Sequence, residues 1–204
     1  AEEPTPSVPA LVGVNHLLIS EIMAGVTGNN NHDWVELYNP TPEIFDLKNY
    51  SLWYQLDAGQ PDILLYSWED SALIPPHGHY LLVQEGQTAA VEADAYFDYP
   101  LVPQRGGLAL RQRGAPVVDQ VTWGGSGSIF VEGSKAVAIK NDHSLERLPG
   151  MQEGSWQDLN DNASDFFLNP TPDPQSSGSP AVPALNVGLQ LSVDYPREAQ
   201  PGSE

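Results

Sequence analysis

Leu18-Ile19-Ser20-Glu21-Ile22-Met23-Ala24 and, after the polar loop Gly28-Asn29-Asn30-Asn31-His32, the run Asp33-Trp34-Val35-Glu36-Leu37-Tyr38-Asn39-Pro40 decide the class of fold. Both runs are short, apolar and alternating. Alternate side chains of a strand share a face, so Val35 and Leu37 point one way while Trp34, Glu36 and Tyr38 point the other. The first pair belongs in a core. Glu36 then lies between two aromatic neighbours, and Glu21 holds a comparable place in the preceding strand, which brings two carboxylates close together. Half-buried like charges require a counter-charge. The planar guanidinium of Arg147, in Ser144-Leu145-Glu146-Arg147, suits bidentate carboxylate pairing. Glu21, Glu36 and Arg147 are therefore expected to form one structural ionic network, with a catalytic acid pair and a bound cation as the competing readings.

Outward from this pair of strands, Gly 18 and Pro 19 are scattered along 204 residues and interrupt every apolar run. That punctuation suits turns between strands, and no segment carries the spacing of an amphipathic helix. Strands are predicted at 15–23, 33–39, 51–56, 63–68, 79–84, 107–112, 116–123 and 144–148. So many short strands with frequent turns predict an all-β sandwich with one core, spanning 15–174 after a flexible segment 1–14. The Pro- and Ser-rich stretch 175–184 reads as a linker. Beyond it, Leu185 to Tyr195 alternates like a strand; 185–204 is read as the first strand of a further domain, with a tail or a strand docking back as alternatives.

Charge restricts partners. Eight Lys and Arg stand against 27 Asp and Glu, a formal net charge of −19, and no Lys or Arg precedes Lys48. A phosphate backbone or an anionic lipid surface would be repelled, whereas divalent cations and basic surfaces would not. The chain has no Cys, so thiolate metal sites and disulfides are excluded. No apolar run approaches the roughly 18–20 residues that span a bilayer, so membrane insertion is not expected. The opening Ala1-Glu2-Glu3-Pro4-Thr5-Pro6 reads as what remains after removal of an export signal, although a chain cut there for another reason would look the same.

Three segments together resemble the lamin-tail domain family in its bacterial form. They are the two runs quoted first, closing with Phe45-Asp46-Leu47-Lys48-Asn49-Tyr50-Ser51-Leu52; Leu73-Ile74-Pro75-Pro76-His77-Gly78-His79-Tyr80-Leu81-Leu82-Val83; and His143-Ser144-Leu145-Glu146-Arg147-Leu148-Pro149 with Trp156, Asp165-Phe166 and Asn169-Pro170-Thr171-Pro172. The resemblance covers about 17–174 and departs from the family over Pro100 to Arg113, where Val102-Pro103-Gln104-Arg105-Gly106-Gly107 is less typical. It implies an immunoglobulin-like β-sandwich, found in bacteria within large exported or surface proteins beside hydrolase or adhesion domains. It implies no catalytic residue.

Other constellations point to ligands. Asp158, Asn160, Asn162 and Asp165 alternate as the ligands opening a calcium loop do, but Ala163 occupies the place of the turn glycine and Asn169 that of the closing Glu. Asx-turn chemistry that folds Phe166 and Phe167 inward is the alternative. The loop 28–33 is a second oxygen-rich place. His77 and His79 could share a face for zinc but lack a third ligand, and read first as part of a turn. Gly124-Gly125-Ser126-Gly127-Ser128 lacks the last Gly of a nucleophile elbow and the Lys of a phosphate loop, and reads as a plain loop. Trp53, Tyr54, Trp68 and Trp123 could form a stacking platform if exposed; most are expected in the core. The expected function is a non-catalytic structural or interaction module of an exported, cell-surface multidomain protein, without a required cofactor. A calcium- or carbohydrate-binding module, or an accessory domain to a hydrolase, are the alternatives. A protein or surface glycan is the expected partner.

Overall fold

The computed structural model describes residues 14–183; the N-terminal segment 1–13 and the strand read at 185–204 lie outside the described residues. Two sheets face each other. The larger contains β1 (Leu18–Val26), β2 (Asn29–Tyr38), β7 (His79–Gln84), β8 (Ala95–Phe97), β11 (Ser144–Arg147) and β12 (Phe166–Asn169), in the order β12-β11-β1-β2-β7-β8. The smaller contains β4 (Tyr50–Gln55), β5 (Ile63–Ser67), β9 (Arg105–Gln112) and β10 (Val117–Gly124), in the order β10-β9-β4-β5. A two-stranded ribbon of β3 (Phe45–Asp46) and β6 (Leu73–Ile74) stands beside them. All pairings between neighbouring strands of the larger sheet are antiparallel except β7 with β8. Among the described residues helix is confined to a 3-10 turn, Met151–Glu153, and a single α turn, Asn162–Asp165.

The core lies between the sheets, and period-two alternation fills it. The larger sheet contributes Ile22, Val35, Leu37, Leu82 and Leu145; the smaller contributes Leu52, Tyr54, Leu108, Leu110, Val121 and Trp123. Ile19 and Ile22 are both core residues although three positions apart. A register shift between Ile19 and Glu21 explains this: the extra residue of a β-bulge reverses the alternation. Ser20 and Glu21 are released from the inner face together. A satellite cluster of Met23, Trp34, Leu81 and Val83 lies on the opposite face of the larger sheet, under Ala89, Val91 and Ala93.

The predicted strands coincide with eight of the observed ones, and differ chiefly at their ends. β3, β6, β8 and β12 were not predicted, being two to four residues long. The oxygen-rich loop 28–33 is largely strand, because Asn29 pairs with Val26 and Asp33 with Ala24. Residues 175–183, read as a linker, lie against the larger sheet. Gln175 N–H donates to Glu36 at 2.7 Å, Ser177 N–H to Asp94 at 2.9 Å, and Val182 N–H to the His77 carbonyl at 2.8 Å. Tyr38 returns its hydroxyl to the Val182 carbonyl at 2.6 Å. The backbone donors of a Pro-rich segment, few as they are, find acceptors here, of which Glu36 is buried.

Candidate functional site

Glu21 on β1 lies opposite Glu36 on β2 and opposite Glu146 on β11, so the pairing places three carboxylates in a row on the outward face of the larger sheet. None is more than 4% exposed. Ser20 donates to Glu36 at 2.6 Å and Ser144 donates to Glu21. Glu146 accepts from Met151 N–H at 2.5 Å and from the Asn169 amide at 2.6 Å. Asp173 and Gln175 lend backbone N–H groups to Glu21 and Glu36 from above.

Burial, reinforced by the neighbouring charges of Glu36 and Glu146, raises the Glu21 carboxyl well above its ordinary range. Burial likewise pushes Glu36 up to about 8, and raises Glu146. His79, on β7, brings Nε2 to 3.9 Å from Glu36 Oε1. Burial drives that imidazole down to about 3, so between those two values both groups are neutral and the contact is not an ion pair. Each carboxyl of the row accepts hydrogen bonds from neighbouring hydroxyl, amide or backbone N–H groups.

Arg147 does not join Glu21 and Glu36, contrary to the expectation from sequence. Consecutive strand residues face opposite ways, so once Glu146 stands beside Glu21, Arg147 must enter the inter-sheet core. There its Nη2 donates to both carboxylate oxygens of Asp119 at 2.8 Å, Nε to the Ile19 carbonyl at 3.0 Å and Nη1 to the Gln157 carbonyl at 2.9 Å. Its guanidinium lies 4.5 Å from the centre of the Phe166 ring. Burial raises the Asp119 carboxyl, and Arg147 opposes that rise. Asp119 was missed in sequence, although a lone acid in phase with Val121 and Trp123 is the signal of an inward-facing partner.

The calcium-like loop serves the backbone. Asp165, fully buried, accepts from Leu159 N–H at 3.0 and 2.9 Å and from Asp161 N–H at 3.2 Å. Asn162 Oδ1 accepts from Thr122 N–H at 3.0 Å and Glu132 N–H at 3.2 Å. Asp158 accepts from Asn160 N–H at 3.2 Å and meets His16 at 3.3 Å. Their oxygens are thus aimed at different groups. Among the described residues no set of three His, Cys, Asp or Glu side chains is placed to hold a metal. His77 occupies a left-handed turn at φ 55°, while His79 is buried against Tyr38 with ring centres 4.9 Å apart. Ser126 and Ser128 are buried, and Ser126 donates to the Leu56 carbonyl at 2.9 Å; neither serine is presented as a nucleophile.

Tyr54, Trp68 and Trp123 are core residues. Trp53, one residue out of phase with them on β4, lies on the outward face of the smaller sheet and is half-buried. The loop carrying Phe130 covers part of that face, where Thr122 donates to the Phe130 carbonyl at 2.7 Å. The uncovered part is a groove of about 360 Å³ lined by Ser51, Trp53, Leu64, Glu69, Arg111 and Arg113, among others. Arg111 stacks 5.1 Å from the Trp53 ring centre and 4.9 Å from that of Phe130, and donates to Asp62 at 2.9 Å.

Comparison with known proteins places this architecture. No curated protein matches the chain. A chain from the solved structure "The archaeal flagellum of Methanospirillum hungatei strain JF1" aligns at 13% identity and a TM-score of 0.35, covering 56% of this chain and 68% of that one, a likeness too slight to carry an argument. The family model described as Lamin Tail Domain matches residues 13–142, well over half of the sequence. With its two facing sheets and the hairpin of β1 and β2, the chain belongs to the lamin tail domain family.

Proposed function

We propose that this chain is a non-catalytic structural and interaction module of an exported, cell-surface multidomain protein of bacterial type. The observation that carries the reading is the engagement of the buried acids by the fold itself: Glu21, Glu36, Glu146, Asp119 and Asp165 all accept hydrogen bonds that join strands, sheets or loops. An acid–base pair working on a substrate would need a free carboxylate in a cleft. The net charge of −19 supports a partner other than nucleic acid or an anionic membrane. Export is tested by raising antibody against this domain and probing intact and lysed source cells with external protease. Digestion in intact cells is expected; protection until lysis would remove the surface assignment. A second reading, a ligand-binding module, is favoured by the open groove at Trp53.

A further inference from the structure

We propose that the groove over β4 and β9 is a binding site for a neutral polysaccharide, with Trp53 as the stacking platform and Arg113 and Glu69 as the hydroxyl-binding pair. This deepens the ligand-binding reading and leaves the structural-module reading to stand or fall separately. Trp53 is fixed before any ligand arrives: its indole N–H donates to Ser51 at 2.8 Å, and Arg111, held by Asp62, stacks over one side of the ring, so a sugar must use the part of the half-buried indole that lines the groove. A fixed aromatic ring offers contact area at little cost in ordering. Around it stand Ser51 and Ser67, the exposed Leu64, and the exposed pair Arg113–Glu69 at 3.3 Å. Ring face, hydroxyls and a paired donor and acceptor are the complement of a sugar ring, which has an apolar C–H face and a rim of hydroxyls.

Charge selects the class of sugar. The groove holds two of the chain's eight basic residues, Arg111 and Arg113, each matched by one acid, Asp62 and Glu69. It is locally neutral on a chain of formal charge −19. An acidic polysaccharide would approach against that field, and a basic protein would find stronger attraction elsewhere on the surface. A peptide anchor is also poorly served, because Leu64 is the single large aliphatic side chain lining the groove.

The test is affinity electrophoresis of the whole chain through gels containing xyloglucan, galactomannan, mixed-linkage β-glucan or dextran, with polygalacturonate and gelatin as controls. At least one neutral glycan should retard the chain, with no loss as salt rises. Trp53→Ala should abolish retardation, and Arg113→Ala, at an exposed position, should weaken it about tenfold. Melting temperatures of both variants show whether they are folded; if Trp53→Ala is not, Arg113→Ala and Glu69→Ala decide. Absence of retardation by every neutral glycan, retardation by polygalacturonate or gelatin alone, or retardation unchanged in the folded variants would overturn the site. None of these outcomes bears on surface exposure of the module, which the protease experiment reads independently.

Discussion

Arg147 and Asp119 join the two sheets: the guanidinium rises from β11 of the larger sheet and meets both oxygens of a carboxylate on β10 of the smaller one at 2.8 Å. Asp119 also accepts Ile19 N–H at 2.6 Å, at the bulge where β1 changes phase. Removing one partner leaves the other charged and buried. Arg147→Ala and Asp119→Ala are each expected to lower unfolding free energy by about 3–5 kcal/mol in urea titrations. The double substitution Arg147→Met with Asp119→Leu should recover most of that loss. Equal losses in single and double variants would show that packing around Phe166, rather than charge pairing, is what the arginine supplies.

Acidity should stabilise the row of glutamates. Glu36 binds its proton more tightly when folded, about 8 against the ordinary 4.5, so its contribution is complete below the unfolded value and is lost as pH rises through about 8. Glu21, Glu146 and Glu132, the last pushed to about 8 mainly by burial, act in the same direction. His79 acts oppositely, but its contribution is already complete above its ordinary 6.5. Between pH 6.5 and 8.5 the melting temperature is therefore expected to fall by several degrees, about. Glu36→Gln, which mimics the protonated acid, should flatten that slope; an identical slope in the variant would contradict the assignment.

Alternation in the sequence shows which acids of the first hairpin share a face, and in the larger sheet Glu21 pairs with Glu36. The same rule, applied to Glu146 and Arg147, already contained the misassigned arginine: adjacent residues cannot both face Glu21. What could not be read locally was the register of β11 against β1, which depends on a pairing more than a hundred residues apart in the chain. The Asp158 to Asp165 stretch is ambiguous in sequence for another reason. Calcium ligands and backbone-capping residues are the same residue types, and only the direction of their oxygens distinguishes them. The stretch 175–184 is Pro- and Ser-rich enough to read as a linker, because composition counts the donors a segment lacks and not the acceptors awaiting those it has.

The consecutive glycines Gly106 and Gly107 of β9 stand where side chains would be crowded, which a substitution can expose. A Cβ on Gly106 would lie 2.6 Å from the Trp123 ring and 2.7 Å from that of Tyr54; one on Gly107 would lie 2.5 Å from Ser128 Oγ on the other face. Consecutive glycines thin β9 on both sides. Gly106→Ala should cost about 1–3 kcal/mol by overpacking the core rings. Gly114→Ala, at a position with nothing within 4 Å but φ 77°, tests backbone strain alone. A smaller loss at Gly106 than at Gly114 would refute the packing account.

Calcium is expected to leave this fold's stability where magnesium leaves it. Asp165 and Asn162 already accept backbone donors, and an ion would have to displace them. Thermal unfolding after chelation, with calcium or magnesium restored, checks this. A rise specific to calcium would return the Asp158, Asn160, Asn162 and Asp165 loop to the candidate ligands.

Gln175 N–H and Glu36 make the contact on which the covering of the carboxylate row depends. The bond is 2.7 Å long, and it is followed by two from Ser177 to Asp94, one through N–H at 2.9 Å and one through the hydroxyl. If these hold 175–183 against the sheet, the amides of Gln175 and Ser177 exchange with solvent only when the segment lifts, and their protection reports the free energy of lifting. Glu36→Ala removes one acceptor and Asp94→Ala the other. Each is expected to raise exchange at 175–177 by about tenfold or more, while the amides of β9, on the opposite sheet, keep their protection. A uniform rise across both sheets would mean that the segment and the sandwich open as one cooperative unit. Unprotected amides at 175 and 177 in the unsubstituted chain would mean that the acids are covered by something other than this segment.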